Sequence, residues 1–177
     1  DWWWSDELAE RRARAFVHNV ARLRDICREH GILFVAATQQ FRSTLIPTSE
    51  LHGMTYEQEV AFVREQRAQG KIGPHMLPVS ATTFDLRLKA DDEMAPRTVA
   101  MLYPPRVMLV HTRAMADLRD WASRENVPLA DVIHALDGDR DLMVNWVHLT
   151  GQANVIVARE LARVIREQLT LRTAVPG

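Results

Sequence analysis

A doubly wound α/β/α domain on a mostly parallel sheet is the fold class that this sequence predicts. Two observations carry that expectation. Short apolar runs at residues 32–38 and 127–132 each follow an amphipathic helical stretch, and unbroken runs of this length read as strands buried on both faces. The order along the chain is helix, strand, helix, strand, helix, which is the alternation of βαβ units. Ligands in such sheets gather at the carboxyl ends of the strands, so Thr38 and Asp131 are expected on one rim.

Each element has its own signals. Residues 5–30 read as a helix: Ser5 suits the N-cap, Asp6 and Glu7 suit the positive end of the dipole, and Phe16, Val20, Leu23 and Cys27 recur at helical spacing. Gly31 is a C-terminal stop. After the strand at 32–38 comes a proline-rich excursion, residues 39–105, which reads either as a peripheral insertion or as a lid over a site. It holds one well-signalled helix, opened by the capping box Thr55-Tyr56-Glu57-Gln58 and stopped near Gly70. Residues 106–125 form the next amphipathic helix, carried by Val107, Val110, Ala114, Leu118, Trp121 and Ala122. Asn126 leads into the second strand, where Pro128 is tolerable near the start. Thr150 caps a last helix with Val155, Ile156, Leu161, Ile165 and Leu169 on one face. The chain, residues 1–177, is expected to be a single domain; it begins Asp-Trp-Trp-Trp, and the first strands of the sheet are expected upstream of it.

Composition narrows the function. A net charge of −1 gives no electrostatic case for nucleic acid or for an anionic membrane surface. No apolar run is long enough for a membrane span. Cys27 is the sole cysteine, so neither a disulfide framework nor a cysteine-rich zinc site is expected. His52, His75, His111 and His134 show no spacing such as His-Glu-x-x-His, and no metal or organic cofactor is expected.

The informative segment is 141–154. There His148 sits in the turn before the last helix, three residues after Asn145. That spacing lets the Asn145 side chain reach the imidazole and fix its tautomer and direction, as a general base requires. A lone His beside a helix start is more often structural. Ser5, Ser43, Ser49, Ser80 and Ser123 lie in no nucleophile-elbow pattern and read as caps or loop residues. Residues 137–141, Asp-Gly-Asp-Arg-Asp, read as a solvated turn, because the Gly is misplaced for a calcium loop. Asp91-Asp92-Glu93 reads as an exposed charge run, Trp2 to Trp4 as a packing or partner surface, and Cys27 as a small core residue.

The run Asn145-Trp146-Val147-His148-Leu149-Thr150, followed by Gly151 and Asn154, resembles the final motif of the SGNH, or GDSL, hydrolases. The strand ending near Thr38-Gln39 and the approach through Asp131, Leu136 and Asp141 resemble that family too. The resemblance covers about the first forty and last seventy residues and implies the flavodoxin-like fold of the family. It also implies a serine esterase or acylhydrolase acting on an O-acetyl or lipid acyl ester, with His148 as base and Asn145 as orienter. The family's Gly-Asp-Ser and Gly-x-Asn-Asp motifs are absent, so the nucleophile and oxyanion hole would lie outside this chain. The family's acid is Asp, and Asn145 cannot stabilise an imidazolium by charge. Two other readings stay open: a non-catalytic domain binding a glycan or lipid, and an interaction domain meeting a partner through its Trp cluster. An exposed sheet edge is expected to favour self-association.

Overall fold

The structure, a computed structural model, describes residues 6–43, 46–69 and 105–174. Helix α1, Asp6–Glu29, ends where Gly31 adopts φ +67° and the Ile32 amide reaches back to the Cys27 carbonyl at 2.8 Å. This is the left-handed C-cap expected of Gly31. Strand β1, Ala36–Ala37, follows. Helix α2, Tyr56–Ala68, opens with the reciprocal capping box: the Thr55 amide donates to Gln58 Oε1 at 2.8 Å, and the Gln58 amide donates to Thr55 Oγ1 at 3.2 Å. Helix α3, Pro105–Arg124, is closed by Asn126 at φ 52°, one of the few side chains that tolerate that region. Strand β2, Leu129–Ala130, leads through Asp131 into the single turn α4, Val132–Ala135. Helix α5, Gly151–Ala174, starts at Thr150, whose hydroxyl accepts from the Ala153 amide at 3.2 Å.

The expected doubly wound three-layer fold is not what forms. The described residues are mostly helical, with one two-stranded sheet. The parallel sense was right: Ala36 pairs with Leu129 and Ala37 with Ala130. The extent was wrong, for a local reason at each end. Ile32 is 56% exposed, and among the described residues no strand pairs with residues 32–35. Beyond Ala37, Thr38 turns its hydroxyl to the Ile133 amide at 3.0 Å, and Asp131 caps Val132 into a helical turn. Polar side chains thus end both strands after two residues.

Helices cover the pair. Val17, Val20 and Ala21 of α1 pack with Met108, Met115, Leu118 and Trp121 of α3 against Ala36 and Leu129. Val157, Leu161 and Val164 of α5 pack against Val35, Ala130 and Val132. Burying each large side chain contributes about 1.5–3 kcal/mol, so these two contacts dominate the stabilisation. The face expected for α1 was rotated: Leu23 and Phe16 lie in solvent, while Ala13 is buried. Small residues there let α1 approach α3 closely, and Arg24 closes the end of the contact over the Trp121 ring, 5.3 Å from its centroid.

Residues 39–43 and 46–69, expected as part of an excursion that is either a peripheral insertion or a lid, contribute to the core. Phe41, Leu51, Tyr56, Val60 and Val63 are buried. The remainder of the excursion, residues 70–104, lies outside the described residues, as do Trp2 to Trp4, Ser5, Ser80, His75 and Asp91 to Glu93.

Candidate functional site

The chain leaving β1 is held by buried polar contacts, and these position the loop that bears His148. Arg42 is buried; its amide donates to the Trp146 carbonyl at 2.9 Å and its Nη1 donates to the Met143 carbonyl at 2.8 Å. Phe41 lies against Trp146, with ring centroids 5.8 Å apart. The loop closes on itself through the antiparallel bridge between Met143 and Leu149 and the Val144 amide, which donates to the His148 carbonyl at 2.8 Å. The Thr150 amide donates to the Leu142 carbonyl at 3.0 Å, so α5 starts directly from the closed loop.

Within that loop Asn145 organises the turn. Its Oδ1 accepts from the Val147 amide at 3.1 Å and from the His148 amide at 2.9 Å. Its amide also reaches the ring: His148 Nδ1 lies 3.0 Å from Oδ1 and 2.8 Å from Nδ2. A protonated Nδ1 would donate to Oδ1, and an unprotonated Nδ1 would accept from Nδ2. Asn145 therefore fixes the place of the ring but serves either tautomer, a weaker constraint than the spacing suggested. His148 is exposed, and its Nε2 has no hydrogen-bond partner among the described residues.

A second histidine on the rim, His134, is more strongly oriented; from sequence it was weighed only as a metal ligand and set aside for want of a metal spacing. Asp131 sits at the end of β2, where Thr38 donates its hydroxyl to Oδ1 at 3.0 Å. Arg119 of α3 binds the same carboxylate with two nitrogens, at 2.8 and 3.0 Å. His134, one helical turn on, places Nδ1 2.7 Å from Asp131 Oδ2 and Nε2 2.9 Å from Glu57 Oε1 of α2. Burial alone would push the Asp131 carboxyl up, but Arg119, His134 and Thr38 outweigh it and hold it at about 2. Burial alone would lower His134; its hydrogen bonds to the Glu57 and Asp131 carboxylates raise it instead. The available signal was the spacing Asp131-x-x-His134 on a capped turn. Thr38 and Asp131 do share one rim, as expected.

Other flagged residues fall elsewhere. Ser43 is buried, while Ser49 and Ser123 are exposed. Cys27 is half-buried rather than in the core. The expected solvated turn at 137–141 is pinned: Asp137 Oδ1 accepts from the Tyr56 amide at 2.9 Å, and Arg140 is fully buried. His52 sits 3.3 Å from Asp141 at the surface. His111 lies inside, stacked on Phe41 with centroids 5.0 Å apart. No helix of the described residues is long and apolar enough to cross a membrane.

Two histidines thus differ in chemical readiness. His148 offers an open nitrogen with a neutral orienter, whereas His134 has a charged orienter and a nitrogen already facing a carboxylate. Compared with known proteins, the chain matches no family model, no curated protein and no solved structure.

Proposed function

We propose that this chain contributes the base of an ester-hydrolysing site of serine-hydrolase type, with His148 as general base and Asn145 as its positioning residue. The observation that carries the reading is the split environment of the ring: Nδ1 held by Asn145, Nε2 open. The sequence around His148 supports it through its resemblance to the last motif of SGNH hydrolases.

In this reading the attacking serine and the oxyanion donors come from outside the chain. The serine Oγ–H gives its proton to His148 Nε2 as Oγ bonds to the ester carbonyl carbon, and the carbonyl oxygen takes up the negative charge. Collapse expels the alcohol, which leaves with the proton from His148; water then repeats the sequence and frees the acid. The substrate is an O-acetyl or lipid acyl ester.

The test uses the protein expressed from its complete gene. His148→Gln lowers kcat/KM on p-nitrophenyl acetate by at least about 10³-fold with the far-UV circular dichroism spectrum unchanged. A loss smaller than about tenfold would rule His148 out as the base.

One observation favours a second reading. Asn145 carries no charge and accommodates both tautomers, which suits a relative that binds a glycan or lipid ester without cleaving it. Saturable binding of an acetylated glycan with no turnover would support that reading over hydrolysis.

A further inference from the structure

We propose that Glu57, His134 and Asp137 form a binding site for a divalent transition-metal ion of the zinc or manganese kind. The three come from the start of α2 and from the turn after β2, and their ligand atoms all lie within 4.8 Å of one another. One imidazole nitrogen with two carboxylate oxygens is a borderline donor set, suited to zinc or manganese rather than to calcium. An ion about 2.0–2.2 Å from each ligand needs donors roughly 3–3.5 Å apart, so closing the widest pair takes little more than 1 Å of side-chain movement. Glu57 is exposed at the start of α2 and can make it, and water can fill the remaining positions.

A second arrangement points to the same ion. Metal-bound imidazoles commonly give their other N–H to a carboxylate, which sets the tautomer and strengthens the ligand. His134 has this arrangement: Nδ1 is 2.7 Å from Asp131 Oδ2, and Asp131 is itself immobilised by Arg119 and Thr38. Its Nε2 is 2.9 Å from Glu57 Oε1. An ion bound at Nε2 would take the place of that contact.

Asp131 and Asp137 face His134 from its own turn and Glu57 from α2; Arg119 of α3 binds both oxygens of Asp131 and also brings Nη2 to 3.5 Å from His134 Nδ1. On α5, Glu160 lies close enough to couple to Asp131 but is paired with Arg163 at 2.7 Å. A bound ion braces the start of α2 against the end of β2, joining two elements that the chain separates by more than seventy residues.

The experiment titrates the full-length chain with zinc chloride and with manganese chloride by calorimetry, and follows the melting temperature in parallel. One ion binds per chain and raises the melting temperature. Glu57→Gln and His134→Gln each weaken zinc binding by at least about tenfold, and Asp131→Asn weakens it by about 10–100-fold through the ring. His52→Gln, whose ring faces Asp141 and is not among the three ligands, leaves the affinity unchanged. Circular dichroism verifies that Glu57→Gln, a substitution at an exposed position, keeps the fold. No binding at about 1 mM of either ion overturns the proposal, and so does wild-type affinity in both Glu57→Gln and His134→Gln, which would place the ion elsewhere.

Discussion

Arg140 Nε donates to Glu59 Oε2 at 2.5 Å, with both side chains fully buried. The rest of the guanidinium is also engaged: Nη2 donates to the Phe41 carbonyl at 2.5 Å, and Nη1 donates to Gln40 Oε1 at 3.3 Å. Glu59 Oε1 accepts from the Ser43 amide. Burial pushes the Glu59 carboxyl up, while Arg140, Ser43 and Arg42 oppose it. This one pair ties α2, the turn at Arg140–Leu142 and the chain leaving β1 together, so the loop of His148 depends on it.

Removing one partner leaves an uncompensated buried charge. Glu59→Gln is therefore expected to destabilise the protein by about 3–5 kcal/mol. The double substitution Glu59→Met/Arg140→Met is expected to cost clearly less than the sum of the two single ones, because the apolar pair removes both desolvation penalties. Urea unfolding of the parent, Glu59→Met, Arg140→Met and the double variant measures this cycle, and additive losses would show that the pair is not coupled.

The loop of His148 gives a second prediction. Asp at position 145 keeps the acceptors for the Val147 and His148 amides and adds the charge that an imidazolium lacks beside Asn145. Asn145→Asp is expected to raise turnover of an activated ester in the active protein, and Asn145→Ala to lower it and loosen the turn by about 1 kcal/mol. Unchanged turnover in both variants would separate Asn145 from the chemistry.

His111 gives a pH prediction whose sign follows from proton accounting. Its Nε2 lies 2.8 Å from the Gln39 carbonyl, which only accepts, so Nε2 carries the hydrogen. Nδ1 must then accept, and the Tyr56 hydroxyl 2.8 Å away donates to it. Burial lowers His111 to about 4 and pushes Tyr56 up to about 12. A histidine depressed in the folded state stabilises the fold above its unfolded value near 6.5 and loses that contribution as pH falls toward 4. Stability is expected to decline by up to about 3 kcal/mol between those values. Asp131, held at about 2, adds a further decline only below about pH 4. Urea midpoints from pH 7 to pH 4 check this, and His111→Phe should flatten the upper part of the decline.

The parts of this structure legible in the sequence were those set by local chemistry. Gly31, the Thr55–Gln58 capping box and the Thr150 cap act within one turn of chain, and each stands as expected. The reach of Asn145 to His148 follows from a spacing of three and was legible for the same reason. Strand length was not legible, because it depends on partners distant in sequence: Thr38 ends β1 by bonding residues more than ninety positions away. The burial of Arg140 was hidden likewise. In sequence it lies among aspartates and reads as solvated, and only folding brings Glu59 to it. His134 was set aside because its second carboxylate, Glu57, belongs to another helix.

The last prediction concerns the chain by itself. If His148 is a base whose nucleophile and oxyanion donors lie outside residues 1–177, as proposed, the groups that supply most of the rate are missing, and residues 1–177 expressed alone are expected not to hydrolyse p-nitrophenyl acetate. They are also expected to self-associate. Among the described residues no third strand flanks β1, and Leu23, Ile26 and Ile32 are about half exposed nearby in sequence. The ladder shows which groups are open. The Ala36 and Thr38 amides donate to β2, at 2.9 and 3.1 Å, so the Ala37 amide points to the outer edge. An unpaired strand edge recruits another strand, and proline at an outward-facing position blocks this without touching the existing ladder. Sedimentation should therefore give a dimer or larger species for the unmodified chain and a monomer for Ala37→Pro. A monomeric, cooperatively folded and esterolytic chain would refute both expectations, and the nucleophile would then be sought among Ser43, Ser49 and Ser80 by single substitution to Ala.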